Sequence, residues 1–477
     1  MVLIMRQLSG LDAMFLYNET PNAPQHVAFI LIYDPSTAPD GKVTHKGILD
    51  TIQRRLPLAH SFRQRLVRVP LDLDHPYWIE GGEFDLEYHV RHIALPQPGD
   101  WRQLSILLAR LQSRALDLTR PLWELYIIEG LDDVEGVPKG GFAMLLKVHH
   151  AAIDGVGGVE VISALHDASP EASVAPDTTV GGDWKPERDP SPMQLLVRAN
   201  INNMMRPMHM ARVMIRTQPG LRRLQRQIRR RELQLPTTAA PRTRFNGTIS
   251  AHRAFVGCPL PLADFRRIKG KVPGSTINDV LVSVIGGAMR QYLTAKGELP
   301  SEPLVAMAPI SVRAPEESGR AGNQVSAMTV SLCTHIADPL ERLAAVREST
   351  RQSKALVNAV GARELSGYSQ FVPGALMGQS NRMTARLELA NRTNPVINTV
   401  VSNVPGPQAP LYFAGARAVS MMGMGNIVNG MGLIQGATSY CGEIAICATA
   451  CREMLPDPAT YTDMLRASFK ETLSAVG

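Results

Sequence analysis

Apolar positions along the chain fall into two rhythms, and the switching between them sketches the elements. "HVAFILIYD" (26–34), "LWELYIIEGL" (122–131) and "FAMLLKVHH" (142–150) are short, nearly unbroken apolar runs rich in β-branched and aromatic residues, which predicts buried strands. "LSILLARLQSRALD" (104–117) repeats its apolar residues every three or four positions, the helical period, and "GVEVISALHD" (158–167) reads as a helix behind the third strand. The pattern resumes near Thr248. "RAFVGCPLPLADFRRIKGKV" (253–272) reads as strand, turn and helix, and "STINDVLVSVIGGAMRQYLTAKG" (275–297) as a helix with Ser275 as its cap. "PLVAMAPISVR" (303–313) is a strand and "DPLERLAAVRESTRQSKALV" (338–357) an amphipathic helix. "VINTVVSNVPGP" (396–407) is a strand running into a Pro-Gly-Pro turn.

The two patterned halves are separated by a stretch of different make-up. Residues 167–192 are rich in Pro, Asp, Gly and Ser, a basic segment follows, and "PTTAAPRTRFNG" (236–247) closes it. A chain of 477 residues also exceeds the size at which one core keeps growing. The expected organisation is two α+β domains, 1–186 and 248–477, joined by a basic, partly helical linker over 187–247.

Composition sharpens the class. With 44% hydrophobic and 19% charged residues the chain forms a core rather than staying disordered. Aromatics are only 5% while methionines number 21, which suits apolar surfaces that adapt to varied partners, lipid among them, although packing accounts for any single one. Five cysteines, at 258, 333, 441, 447 and 451, show no Cys-x-x-Cys spacing, so neither a disulfide framework nor a structural zinc site is expected and a reduced, cytoplasmic setting fits. The start, "MVLIMRQLSG", is too short in apolar residues for a signal peptide. Between Arg417 and Glu443 there is no charge, a length that would span a bilayer, yet six glycines, two asparagines and a glutamine argue for buried strands and turns that line a greasy channel.

The net charge of +7 belongs to one segment. Between Asp189 and Glu232 there is no acid but there are ten arginines, from Arg198 to Arg231; without them the balance is −3. Met, Leu, Ile and Val interleave with these arginines at helical intervals. Such a helix can lie on an anionic membrane surface or serve as a solvated linker. Nucleic acid is a weaker reading, because no aromatic side chain is there to stack on bases.

"KVHHAAIDGVGGVEVI" (147–162) carries the chemistry. Neighbouring residues on a strand point to opposite faces, so His149 and His150 cannot easily share one metal ion, and no ligand pair at helical spacing stands nearby. The dinucleotide fingerprint fails too, with Glu160 where its third glycine belongs. A general base fits better: imidazole titrates near neutrality, one ring faces the reaction and the other faces the protein. Gly155 permits a tight turn or close backbone approach, and Asp154 suits buttressing of that turn. Packing alone remains the plain alternative for a pair of histidines at a strand end.

The string His149-His150-Ala151-Ala152-Ile153-Asp154-Gly155 resembles the HHxxxDG signature of the CoA-dependent acyltransferase superfamily. "LSGLDAMFLYNET" (8–20), "FRQRL" (62–66), "PLWE" (121–124), "INDVLVSVIGGAMR" (277–290) and "VSNVPGP" (401–407) further resemble, in order, the bacterial wax ester synthase/diacylglycerol acyltransferases. The resemblance implies two chloramphenicol-acetyltransferase-like domains with a substrate tunnel between them. It implies transfer of a long-chain acyl group from acyl-CoA to diacylglycerol or a long-chain alcohol, without cofactor or metal. It places the base at His150, with His149 supporting and Asp154 structural. Asn278 and Asp279 match the family's Asn-Asp pair; Asn278, Ser402 and Asn403 are candidate oxyanion donors, and each also reads as a cap or turn residue. The setting implied is cytoplasmic, with peripheral contact to a membrane or lipid droplet and no nucleic acid. Rival readings are an amine-acylating or condensing enzyme of the same superfamily, and a lipid-binding protein on this scaffold.

Overall fold

The computed structural model describes residues 5–58, 60–81, 84–153, 155–171, 188–230, 240–311, 325–360, 383 and 387–477. Among them are two six-stranded sheets and a three-stranded one. The small sheet pairs β1 (Arg6–Gln7), β4 (Tyr77–Glu80) and β3 (Gln64–Val67). In the first large sheet β2 (His26–Asp34) pairs antiparallel with β7 (Phe142–His149), which continues through β6 (Trp123–Glu129) to β5 (Val90–Ala94). The second runs in the order β10 (Val325–Ser331), β9 (Val305–Ser311), β11 (Thr399–Pro405), β14 (Leu433–Tyr440), β15 (Glu443–Cys451), β8 (Arg253–Pro261).

The other side of β2 is taken by a strand from far along the chain. β13 (Ala416–Met424), flanked by β12 (Tyr412–Phe413), pairs antiparallel with β2, so Asp34 lies opposite Arg417 and Ala28 opposite Met424. The uncharged run expected to line a channel is therefore partly a strand whose Met421, Met422 and Met424 are buried in core. Alternation explains which core: Met421 packs with Leu31 and Tyr33, while Met422 and Met424 join Ile30, Ile32 and Leu145.

Helices cover the sheets: α1 (Gly10–Asn18), α2 (His45–Arg55), α3 (Leu86–His89), α4 (Trp101–Gln112) and α5 (Gly155–Leu165) in the first part of the chain. α6 (Pro192–Arg229), α7 (Leu262–Lys271), α8 (Ile277–Ala295), α9 (Pro339–Val360) and α10 (Pro458–Ala475) follow. Leu104, Leu108 and Leu111 of α4 share a core with Phe255 of β8 and Ala445 and Cys447 of β15, so one apolar cluster joins the two large sheets. Gly257 lets them close: a Cβ there would meet Trp101 Cζ2 at 2.7 Å and Met422 Sδ at 2.8 Å.

Two local readings are refined. The cap of α8 is Thr276, not Ser275, because Asp279 three residues on completes a capping box: Asp279 N–H donates to Thr276 Oγ1 at 3.2 Å and Thr276 N–H to Asp279 Oδ2 at 2.8 Å. The basic segment holds one helix of 38 residues through Pro207 and Pro219. Its N-terminal half is pinned beside the small sheet: Asn202 Nδ2 donates to the Tyr77 hydroxyl of β4 at 3.1 Å and to Asp74 Oδ2, just before that strand, at 2.7 Å, and Arg206 pairs with Asp74 at 2.8 Å.

Candidate active site

β7 is buried along its whole length, although it carries Lys147 and His149. Polar groups survive there only with partners. Lys147 Nζ lies 2.9 Å from Glu124 Oε2 and donates to the carbonyls of Arg114 at 2.9 Å and Leu111 at 3.3 Å. Burial lowers the Lys147 pKa, and burial alone would raise that of Glu124, but Lys147 beside it holds the carboxyl below its usual range.

The strand ends on the histidine pair, and period two sends the rings apart. His149 is fully buried. Its Nδ1 accepts from Ala151 N–H at 3.0 Å, so the ring proton sits on Nε2, which donates to Glu19 Oε2 at 2.8 Å. Glu19 follows directly on α1. His26, opposite His149 in the ladder, is held uncharged by burial well below its ordinary value, and its Nε2 lies 2.7 Å from the Gln112 carbonyl.

His150 is half-buried. Its ring lies flat on Phe15 of α1, with centroids 3.9 Å apart and planes inclined by 4°. Its backbone N–H donates to the Gln25 carbonyl at 2.9 Å, and Asn426, just beyond β13, donates from Nδ2 to Gln25 Oε1 at 2.7 Å. The second half of the chain thus helps to hold the loop that positions His150. The two rings thus differ in setting: His149 is buried and held at both nitrogens, while His150 lies half-buried on Phe15.

Asp154 lies outside the described residues. Gly155 opens α5, and Gly158 lets that helix approach the sheet, since a Cβ there would meet Phe29 Cζ at 2.1 Å. Asp279 is buried in the α8 capping box, with Oδ1 lacking a hydrogen-bond partner among the described residues. Asn278 is half-buried beside it, Ser402 half-buried on β11 and Asn403 exposed. α5 packs against β11, which brings "VSNVPGP" to the helix behind the histidines. No hydrogen bond among the described residues links these four to His149 or His150. Among the described residues no cluster of three His, Cys, Asp or Glu could hold a metal ion.

Glu19, Phe15 and Gln25 escaped the sequence reading, although the first two lie inside the quoted "LSGLDAMFLYNET". A carboxylate directly after an apolar helix was the available signal. Trp123 lies in the core, where it stacks on Phe62 at 4.4 Å and its Nε1 donates to the Phe62 carbonyl at 2.9 Å, which ties "PLWE" to "FRQRL".

The model of the wax ester synthase/diacylglycerol acyltransferase catalytic domain matches residues 8–281, and that of the family's C-terminal domain matches 321–472. The O-acyltransferase WSD of Acinetobacter baylyi is 33% identical over 457 residues, covering 95% of this chain and 93% of its own. Among solved structures, the wax ester synthase/diacylglycerol acyltransferase from Marinobacter aquaeolei VT8 aligns with a TM-score of 0.67 at 25% identity, over 99% of this chain and 100% of that one. A trichothecene 15-O-acetyltransferase from Fusarium sporotrichioides, 12% identical, aligns over 97% of this chain and 95% of its own with a TM-score of 0.57, a likeness of fold.

Proposed function

The chain belongs to the wax ester synthase/diacylglycerol acyltransferase family and is an acyltransferase of that α+β, two-domain architecture, and from that premise we propose the reaction and its base. The enzyme moves a long-chain fatty acyl group from acyl-CoA to diacylglycerol, with long-chain alcohols as a second acceptor, and needs no cofactor. His150 is the general base. The observation that carries this reading is the unequal pair: His149 is buried and bonded at both nitrogens, while His150 is half-buried on an aromatic support.

His150 takes the proton of the acceptor hydroxyl as its oxygen attacks the thioester carbonyl. The tetrahedral oxyanion collapses, the carbon–sulfur bond breaks, and His150 returns the proton to the leaving thiolate. The oxyanion donor is sought among Asn278, Ser402 and Asn403, with Asp279 holding the start of α8; one such donor is typically worth about 3 kcal/mol of barrier. Substrates reach His150 along the seam between the two large sheets.

The test is release of free thiol from palmitoyl-CoA, alone and with dioleoylglycerol, hexadecanol or a long-chain amine. Release is expected only with an acceptor, and faster with dioleoylglycerol. Preference for the amine would favour the condensing relatives, and no release with any acceptor would favour a lipid-binding role.

Insoluble acceptors require a surface, and α6 supports one. No helix of the described residues is long and apolar enough to cross a membrane. Yet Met193, Val197, Ile201, Met204, Met208 and Ile215, spaced at about one helical turn or two, are 45–81% exposed. There is no acid anywhere on the helix, and Arg212, Arg216, Arg222, Arg223, Arg226 and Arg229 are exposed. That combination is suited to an anionic bilayer or droplet surface on the cytoplasmic side. Flotation with phosphatidylserine vesicles is expected, and loss of it in Met204→Asp/Ile215→Asp; equal flotation of that variant would remove α6 from the account.

A further inference from the structure

A cleft of about 720 Å³ opens between α4, the start of β8 and the first turns of α10. Five guanidiniums converge on it from three elements far apart in sequence. Arg102 and Arg110 lie on one face of α4, Arg253 on β8, Arg452 in the turn before α10, and Arg466 two turns along α10. The lining holds one carboxylate, Asp457, already engaged by Lys296 Nζ at 2.7 Å and the Tyr292 hydroxyl at 2.6 Å. Arg253 donates to backbone carbonyls, including that of Ser250 at 2.6 Å, and Arg466 lies 3.9 Å from Asp463. Arg102, Arg110 and Arg452 are exposed and make no ion pair among the described residues.

Three unpaired guanidiniums on a concave wall repel one another and are relieved by a ligand carrying several negative charges. The same wall holds Trp101, half-buried and backed by the buried Phe255 with ring centroids 6.2 Å apart, and its indole offers flat apolar surface to a planar base. Neither His149 nor His150 lines the cleft, but one lining segment is tied to the strand beside them. Ser113 lines the cleft, and the preceding Gln112 donates from Nε2 to the His26 carbonyl at 3.0 Å, with His26 facing His149 across the ladder. Arg253 also donates to the carbonyl of Asn22, in the segment between Glu19 and Gln25.

We infer that this cleft seats the nucleotide end of the acyl-CoA, its 3′-phosphate and diphosphate on the arginines and its adenine against Trp101. The inference rests on the acyl-CoA reading above. A phosphorylated lipid headgroup shares the phosphate chemistry but lacks the planar base and the third phosphate.

The experiment is steady-state kinetics with palmitoyl-CoA and dioleoylglycerol on the wild type, Arg110→Gln, Arg452→Gln and the double variant, with Arg266→Gln, exposed on α7 and outside the cleft lining, as a charge control. The double variant is expected to raise KM for palmitoyl-CoA about tenfold or more, with kcat and the acceptor KM within about twofold of wild type. Adenosine 3′,5′-bisphosphate is expected to compete with palmitoyl-CoA, and its inhibition constant to rise by the same factor. Phosphatidylserine vesicles are expected not to compete. An active wild type whose palmitoyl-CoA KM is untouched in the double variant overturns the inference, as does a rise confined to the acceptor KM. Should the wild type release no thiol, the reaction itself is misread. Calorimetric binding of adenosine 3′,5′-bisphosphate then decides the cleft alone: weaker binding to the double variant supports it, and equal binding overturns it.

Discussion

His150→Ala lowers kcat and kcat/KM together by about 10²–10⁴-fold, the usual worth of a positioned general base. KM for palmitoyl-CoA stays near the wild-type value, because the ring is assigned to proton transfer and not to holding the thioester. Glu19→Gln gives the contrast. An amide oxygen can still accept from His149 Nε2–H, whose proton is placed there by the Ala151 N–H bond on the other nitrogen. Its effect should stay below about tenfold, within what one hydrogen bond is worth. Thiol-release kinetics on both variants check this. A His150→Ala enzyme within about fivefold of wild type would require another base, and a Glu19→Gln enzyme as dead as His150→Ala would make the buried histidine the reacting one.

Lys147→Met destabilises the fold by about 3–5 kcal/mol, the cost of leaving one charge of a buried pair without its partner. Glu124 is 6% exposed and would keep Tyr126 at 2.8 Å and Arg91 at 3.3 Å, neither of which replaces an ammonium at 2.9 Å. Two carbonyls near the end of α4 also lose their donor. Glu124→Gln added to Lys147→Met should recover part of the loss, since the uncompensated carboxylate is then gone. Urea unfolding followed by circular dichroism measures both. A single-variant loss under about 1 kcal/mol would mean that water reaches the pair.

Much of this was legible in the chain because it is local. The buried runs of β2, β6 and β7, the helical period of α4 and the opposite facing of His149 and His150 follow from side-chain direction alone. The α8 cap was off by one residue because Ser275 and Thr276 both suit the role, and only the reciprocal bond from Asp279 separates them. Glu19 and Asn426 were not legible. Each acts across a gap in sequence that carries no periodic signal, and Glu19 is an ordinary acid until the fold sets it beside His149. The destination of β13 was hidden for a related reason: its apolar residues suit either large sheet, and pairing with β2 is decided by tertiary packing.

The place of β13 has a consequence for how the molecule is made. As the chain leaves the ribosome, β2 emerges early and finds β7, but its other edge waits until residues 416–424 are synthesised. Through most of translation the nascent chain displays an apolar, unpaired strand edge, the kind of surface that recruits chaperones or seeds aggregates. Expression should therefore suffer most from truncations that remove this late strand, even when every residue around the histidines is intact.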